Sequence, residues 1–178
     1  MSSSQNIILA GFGGQGILFA GKLIAYSGLL DSREVSWLPS YGPEMRGGTA
    51  NCSVCLSDEP IGSPLVLNPN GFIAMNQPSF DKFENVLAEG AVAVVDTTMV
   101  QRVPEIAGAK ICAIPATKMA EDAGLKGLAN VICVGKLFAE MNFCSEEALF
   151  ASVEKCVSAR KRELLGSNKE ALKIGMKA

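Results

Sequence analysis

The chain has 178 residues, 48% of them hydrophobic and 19% charged, with a formal net charge of −2. That length and apolar content describe one domain able to bury a full core, and exclude a disordered chain. The near-neutral balance gives no basic surface for nucleic acid.

The opening stretch MSSSQNIILA has neither a basic n-region nor a long apolar core. The apolar stretch after Gly16 is interrupted by Lys22, so no bilayer span is expected. A soluble, cytoplasmic protein follows from this reading.

In chain order, Ile7 to Ala10 is a short apolar strand that runs into the glycine-rich turn GFGGQG. ILFAGKLIAYSGLL, after Gly16, is a helix apolar on nearly every face, as expected of one packed on a sheet. EVSWL is a strand stopped by Pro39, and TANCSVCLS and GFIAM are two more. Asn76 is an N-cap with Pro78 in the first turn, opening a helix through PSFDKFENVLAE that Gly90 ends. AVAVVD and KICAIP are strands of the fully buried type. ATKMAEDAG is a short helix, and NVICVGKLFAEM a helix with few polar positions. Ser145, with Glu146 and Glu147 behind it, opens an amphipathic helix expected to reach about Leu165. A basic, short helical tail follows from about residue 166. Strands alternating with helices imply a single α/β domain over residues 1–178 with a largely parallel sheet.

There is no histidine. The usual general base, the Ser-His and Cys-His nucleophile pairs and the commonest zinc ligand are therefore missing, so no catalytic residue and no metal site is assigned. The six cysteines form no compact framework. Cys52 and Cys55 make a C-x-x-C, but in a strand positions three apart point to opposite faces, so buried structural thiols are expected.

Gly11, Gly13 and Gly16 have the G-x-G-x-x-G spacing between a strand and a helix. Glycines there permit a tight turn, and the free N–H groups at a helix start attract phosphate, to which Gln15 would add a donor. The same glycines would also serve close strand–helix packing alone. A nicotinamide site further needs an acid at the end of the second strand, and that strand ends in WLPSY. Asp96 ends an apolar strand at the sheet edge where ligands gather, and helix or turn capping accounts for it equally well. Downstream, YGPEMRGG sets Glu44 and Arg46 inside a glycine-marked loop. Arg46 offers a bidentate cation for carboxylate or phosphate. Tyr41, Gly47 and Gly48 flank it, shaping a backbone for close approach.

GFGGQG followed by SYGPEMRGGTANCSV, then MNQPSFDKF, AVVDTT, NVICVGKLFAEM and NKEALKIG, resembles the gamma subunit of the 2-oxoacid:ferredoxin oxidoreductases over nearly the whole chain. GPEMRGGTANC is more similar to the 2-oxoglutarate members than to the pyruvate ones. The resemblance implies a Rossmann-like three-layer α/β/α domain that docks on alpha, beta and delta partner subunits. It implies that thiamine diphosphate and iron–sulfur clusters belong to those partners, and that ferredoxin or flavodoxin accepts the electrons. It also implies a link to coenzyme A, with Gly11, Gly13, Gly14, Gln15 and Gly16 as the phosphate loop. Tyr41, Glu44, Arg46, Gly47, Gly48 and Asp96 are then subunit or ligand contacts. A free-standing nicotinamide-binding enzyme, or a pyruvate, branched-chain or indolepyruvate member of the family, is the alternative expectation.

Overall fold

The structure is a computed structural model describing residues 4–40 and 49–178. Among these it contains six strands and six α-helices: β1 Gln5–Phe12, α1 Ile17–Leu30, β2 Glu34–Ser40, β3 Thr49–Ser57, β4 Gly71–Ala74, α2 Gln77–Phe83, β5 Ala91–Asp96, β6 Ala109–Ile114, α3 Ala116–Asp122, α4 Ala129–Met141, α5 Glu146–Cys156 and α6 Leu164–Lys177. The sheet order is β2-β3-β1-β4-β5-β6. Strands β1, β4, β5 and β6 are parallel, while β3 runs antiparallel to both of its neighbours. The sheet is therefore mixed. Only residues 41–48 separate β2 from β3, too few for the crossover that a parallel pairing requires.

Both faces of the sheet are covered, unequally. Ile7 and Leu9 of β1 point into the larger core, with Leu23 of α1, Leu137 of α4, Leu149 of α5 and Leu172 of α6. Ile8 and Ala10 point the other way, to Phe72, Val95 and Phe80 of α2. Alternate residues of β1 are thus buried on opposite sides, which is why the strand reads as one continuous apolar run. Cys52 joins the larger core and Cys55 does not, as alternation requires.

Two cap assignments hold in atomic detail. Asn76 accepts from the Ser79 N–H at 2.8 Å, and Ser145 Oγ accepts from the Ala148 N–H at 3.1 Å. Ser145 is itself anchored by Asp31 at the end of α1, whose carboxylate accepts from its N–H and its hydroxyl at 2.5 and 2.7 Å. Other boundaries differ from expectation. Strand β2 continues through Pro39 to Ser40. It is an edge strand, where a residue without an N–H breaks no ladder on the open side. Helix α2 stops at Phe83, passing into a 3-10 turn over Glu84–Val86. Helix α5 ends at Cys156, where Val157 is extended, so the stretch expected to reach Leu165 as one helix is instead α5, a 3-10 turn over Ala159–Lys161 and the first residues of α6.

The C-terminal segment is a full 14-residue helix rather than a short tail. Ala171 and Leu172 are wholly buried against α4. The two helices meet backbone to backbone: a Cβ on Gly135 would collide with the Leu172 carbonyl, and one on Gly175 with the Ile132 carbonyl. Main-chain atoms cannot swing aside as a side chain can, so any larger residue must push the helices apart. Overpacking of this kind costs about 1–3 kcal/mol. Gly175→Val should lower Tm by roughly 2–4 °C per kcal/mol lost, measured by circular dichroism melting; an unchanged Tm would show that α6 does not depend on this contact.

Candidate anion-binding site

From β1 the chain crosses by α1 to β2 on one side of the sheet, and from β4 by α2 to β5 on the other. Strands β1 and β4 are adjacent and parallel, so the crevice between their carboxyl ends is a topological switch point, the place where open α/β sheets take ligands. Gln15 spans that crevice. Its Oε1 accepts from the Phe12 N–H at 2.6 Å, closing the turn, and its Nε2 donates to the Met75 carbonyl just past β4 at 2.9 Å. The side chain expected to offer a donor to a ligand is first of all a strut across the loop.

The five loop residues come together as their spacing implies. Gly11 lies in β1 opposite Ala50, and Gly13 lies in the turn. Gly14 and Gly16 have φ of +94° and +74°, the left-handed region that a side chain disfavours. Gly16 is the N-cap of α1 and brings no capping side chain, and the first turn carries no acid. The partial positive charge of the helix start is left uncompensated by its own turn, the arrangement that favours an anion. A cavity of about 270 Å³ faces this end, lined by Phe12, Gly13, Gly14, Gly16, Leu18 and Phe19. A second, also about 270 Å³, opens on the β4 side between Gly14, Gln15, Met75, Met99, Thr117 and Lys126. Its lining is mostly apolar and includes one carboxylate, Glu121, beside the Lys126 ammonium.

Asp96 sits deeper. It is fully buried, and its carboxylate accepts from the Thr98 N–H at 3.1 Å, from the Thr117 N–H at 3.2 Å and from the Thr117 hydroxyl at 2.5 Å. That geometry ties the end of β5 to the first turn of α3, which is the capping alternative raised by the sequence. Tyr41, Glu44, Arg46, Gly47 and Gly48 lie outside the described residues. The described carboxyl end of β2 is Leu38-Pro39-Ser40, with no acid to hold a ribose. Asp31 is engaged by Ser145. Among the described residues no group of three or more His, Cys, Asp or Glu could hold a metal ion, and no helix is long and apolar enough to cross a membrane.

One contributor escapes the sequence altogether. Asn130, in the first turn of α4, donates from Nδ2 to the Gly16 carbonyl at 2.9 Å across 114 residues of chain. An apolar helix with a lone polar residue gives no hint of which distant carbonyl that residue will meet.

The arrangement defines an α/β domain with a helix N-terminus at a switch point that, among the described residues, has no side-chain cap, no first-turn acid and no group of residues able to hold a metal ion. The pyruvate ferredoxin/flavodoxin oxidoreductase family model matches residues 6–178, and the chain belongs to that family. It is 37% identical over 149 residues to the 2-oxoglutarate synthase subunit KorC of Methanocaldococcus jannaschii, covering 82% of this chain and 79% of the relative. It is 36% identical over 169 residues to the ketoisovalerate oxidoreductase subunit VorA of Methanothermobacter thermautotrophicus, covering 94% of this chain but only 35% of that longer protein. In three dimensions it matches the gamma subunit of the keto/oxoacid ferredoxin oxidoreductase of Geobacter sulfurreducens with a TM-score of 0.83 and 27% identity, over 97% of this chain and 96% of that one. It matches the 2-oxoglutarate:ferredoxin oxidoreductase of Magnetococcus marinus, with 2-oxoglutarate, coenzyme A and succinyl-CoA bound, with a TM-score of 0.85 and 25% identity, over 98% of this chain and 30% of that one.

Burial suppresses the thiols. Desolvation pushes Cys52 and Cys144 up to about 12 and Cys156 up to about 11, against an ordinary 9.0, and also raises Cys133. The thiolate is the reacting form, so native Cys52 and Cys144 should alkylate on the order of 1,000-fold more slowly at pH 8 than in the unfolded chain. Iodoacetamide labelling read by peptide mass spectrometry checks this; rapid native labelling of either residue would contradict it.

Proposed function

We propose that this chain is the gamma subunit of a thiamine-diphosphate-dependent 2-oxoacid:ferredoxin or flavodoxin oxidoreductase that turns 2-oxoglutarate into succinyl-CoA and carbon dioxide. In this reading it binds coenzyme A and docks on alpha, beta and delta subunits in the cytoplasm, and takes no part in the redox chemistry. The observation that carries the proposal is the uncapped N-terminus of α1 at the β1–β4 switch point.

Coenzyme A suits these donors. It is polyanionic, and phosphate oxygens accept from backbone N–H groups at a helix start without needing a counter-charge on a side chain. Bound coenzyme A supplies the thiol that takes the acyl group. The residues of this chain hold and orient the phosphates: Gly13, Gly14 and Gly16 keep the approach free of side chains, and Gln15 fixes the turn. Lys126 adds a cation to the lining of the neighbouring cavity, which also carries Glu121. Thiamine diphosphate and the iron–sulfur clusters stay with the partner subunits. Leu65 and Leu67, 65% and 76% exposed on the β3–β4 connection, support a docking surface that partner chains cover.

A branched-chain 2-oxoacid is the second reading, favoured by the 36% identity to the ketoisovalerate oxidoreductase subunit. Assaying the assembled complex with 2-oxoglutarate, 2-ketoisovalerate and pyruvate separates the two by kcat/KM.

For the loop, Gly13→Asp puts a carboxylate where a phosphate is to lie. In the assembled complex it should raise KM for coenzyme A at least tenfold, about 1.4 kcal/mol, and leave KM for the 2-oxoacid unchanged. Unaltered KM for coenzyme A would mean that this loop does not hold it.

A further inference from the structure

Helix N-caps normally carry Ser, Thr, Asp or Asn, whose side chain accepts from the N–H groups of the first turn. Residue 16 is a glycine with no such bond, and the space its side chain would fill belongs to another helix: a Cβ on Gly16 would collide with the Asn130 amide. Asn130 is only 3% exposed. Its Nδ2 donates to the Gly16 carbonyl at 2.9 Å, and the same carbonyl accepts the first helical bond of α1 from the Ala20 N–H at 3.0 Å. The amide is therefore held from the carbonyl side and cannot reach round to cap the helix. Its Oδ1 is buried and has no hydrogen-bond partner among the described residues. Leaving such an acceptor unpaired is costly in a folded protein, and a Leu or Met at the second position of α4 would avoid the cost.

From this we infer that Asn130 is a positioning residue for the anion site. It fixes the Gly16 carbonyl, and with it the direction of the first N–H groups of α1, and its amide fills the space that a side chain on residue 16 would need, so that no side chain among the described residues caps the helix. An external anion then takes the place of the missing cap. Gln15 does the same work from the β4 side, through the Phe12 N–H and the Met75 carbonyl. Two amides, one from α4 and one from the loop itself, thus hold the turn in a shape that no residue within α1 specifies. The inference rests on the coenzyme A reading for the identity of the anion; the geometry alone specifies only a phosphate-like group.

The test uses the assembled complex and compares Asn130→Asp with Asn130→Ala. The first is nearly isosteric but sets a negative charge beside the helix N-terminus; the second removes the tether without adding charge, and serves if the acid does not fold. Expected are a rise of about tenfold in KM for coenzyme A in Asn130→Asp and a smaller rise in Asn130→Ala. In both, KM for the 2-oxoacid stays the same and kcat stays within about twofold. A residue with only a packing role would lower Tm and leave KM for coenzyme A at the parental value in both variants, and that result overturns the inference. Gly13→Asp distinguishes the two layers. If it raises KM for coenzyme A while both Asn130 variants leave it unchanged, the positioning role fails alone. If none of the three moves it, the coenzyme A reading fails and the inference falls with it.

Discussion

The turn between β1 and α1 is the constraint on which the molecule depends. A strand must end, reverse its hydrogen-bonding habit and begin a helix within four residues, Gly13 to Gly16, next to a second strand end. Left-handed backbone at Gly14 and Gly16 makes the reversal possible, and Gln15 makes it rigid by satisfying a donor in β1 and an acceptor past β4 with one amide. Remove that bridge and β1 and β4 remain paired, but the start of α1 loses its register to the crevice. The helix N-terminus is useful to an anion only because its direction is fixed in this way.

Much of the rest can be understood as support for that turn. The larger core stacks α1 against α4 and α5, and α4 is in turn clamped by α6 through Gly135 and Gly175. Because Asn130 rides on α4, the glycine contact at the far side of that helix and the carbonyl contact at Gly16 belong to one rigid chain of packing. The C-terminal helix is therefore part of the scaffold that positions the loop. On the opposite face, Phe72, Phe80 and Val95 form a smaller cluster that needs only one short helix to cover it.

Local chemistry was legible in the sequence wherever the cause lies within a few residues. Asn76 and Ser145 are caps because their side chains reach N–H groups three positions on, and GFGGQG is a turn because glycine most readily takes the left-handed backbone found at Gly14 and Gly16. The alternating fold class followed from the same local periodicities. What was not legible depends on distant partners. Pro39 sits inside β2 because that strand is an edge, which no local pattern reveals. The break after Cys156 falls in a continuous polar–apolar pattern, so α5 and α6 read as one helix and a tail. Asn130 looked like one polar residue in an apolar helix, since its partner lies 114 residues away. Gln15 was expected to face a ligand, whereas two backbone groups claim it first.

The described residues contribute backbone donors, rigidity and apolar surface, and their thiols are suppressed by burial. In the account proposed, reactive groups come from neighbouring chains and this one supplies the cradle and the docking face. The most direct test is to measure 2-oxoacid- and coenzyme-A-dependent acyl-CoA formation with the purified chain alone and again after adding its partner subunits. The account predicts no turnover alone and turnover in the assembly; acyl-CoA formed by the isolated chain would contradict it.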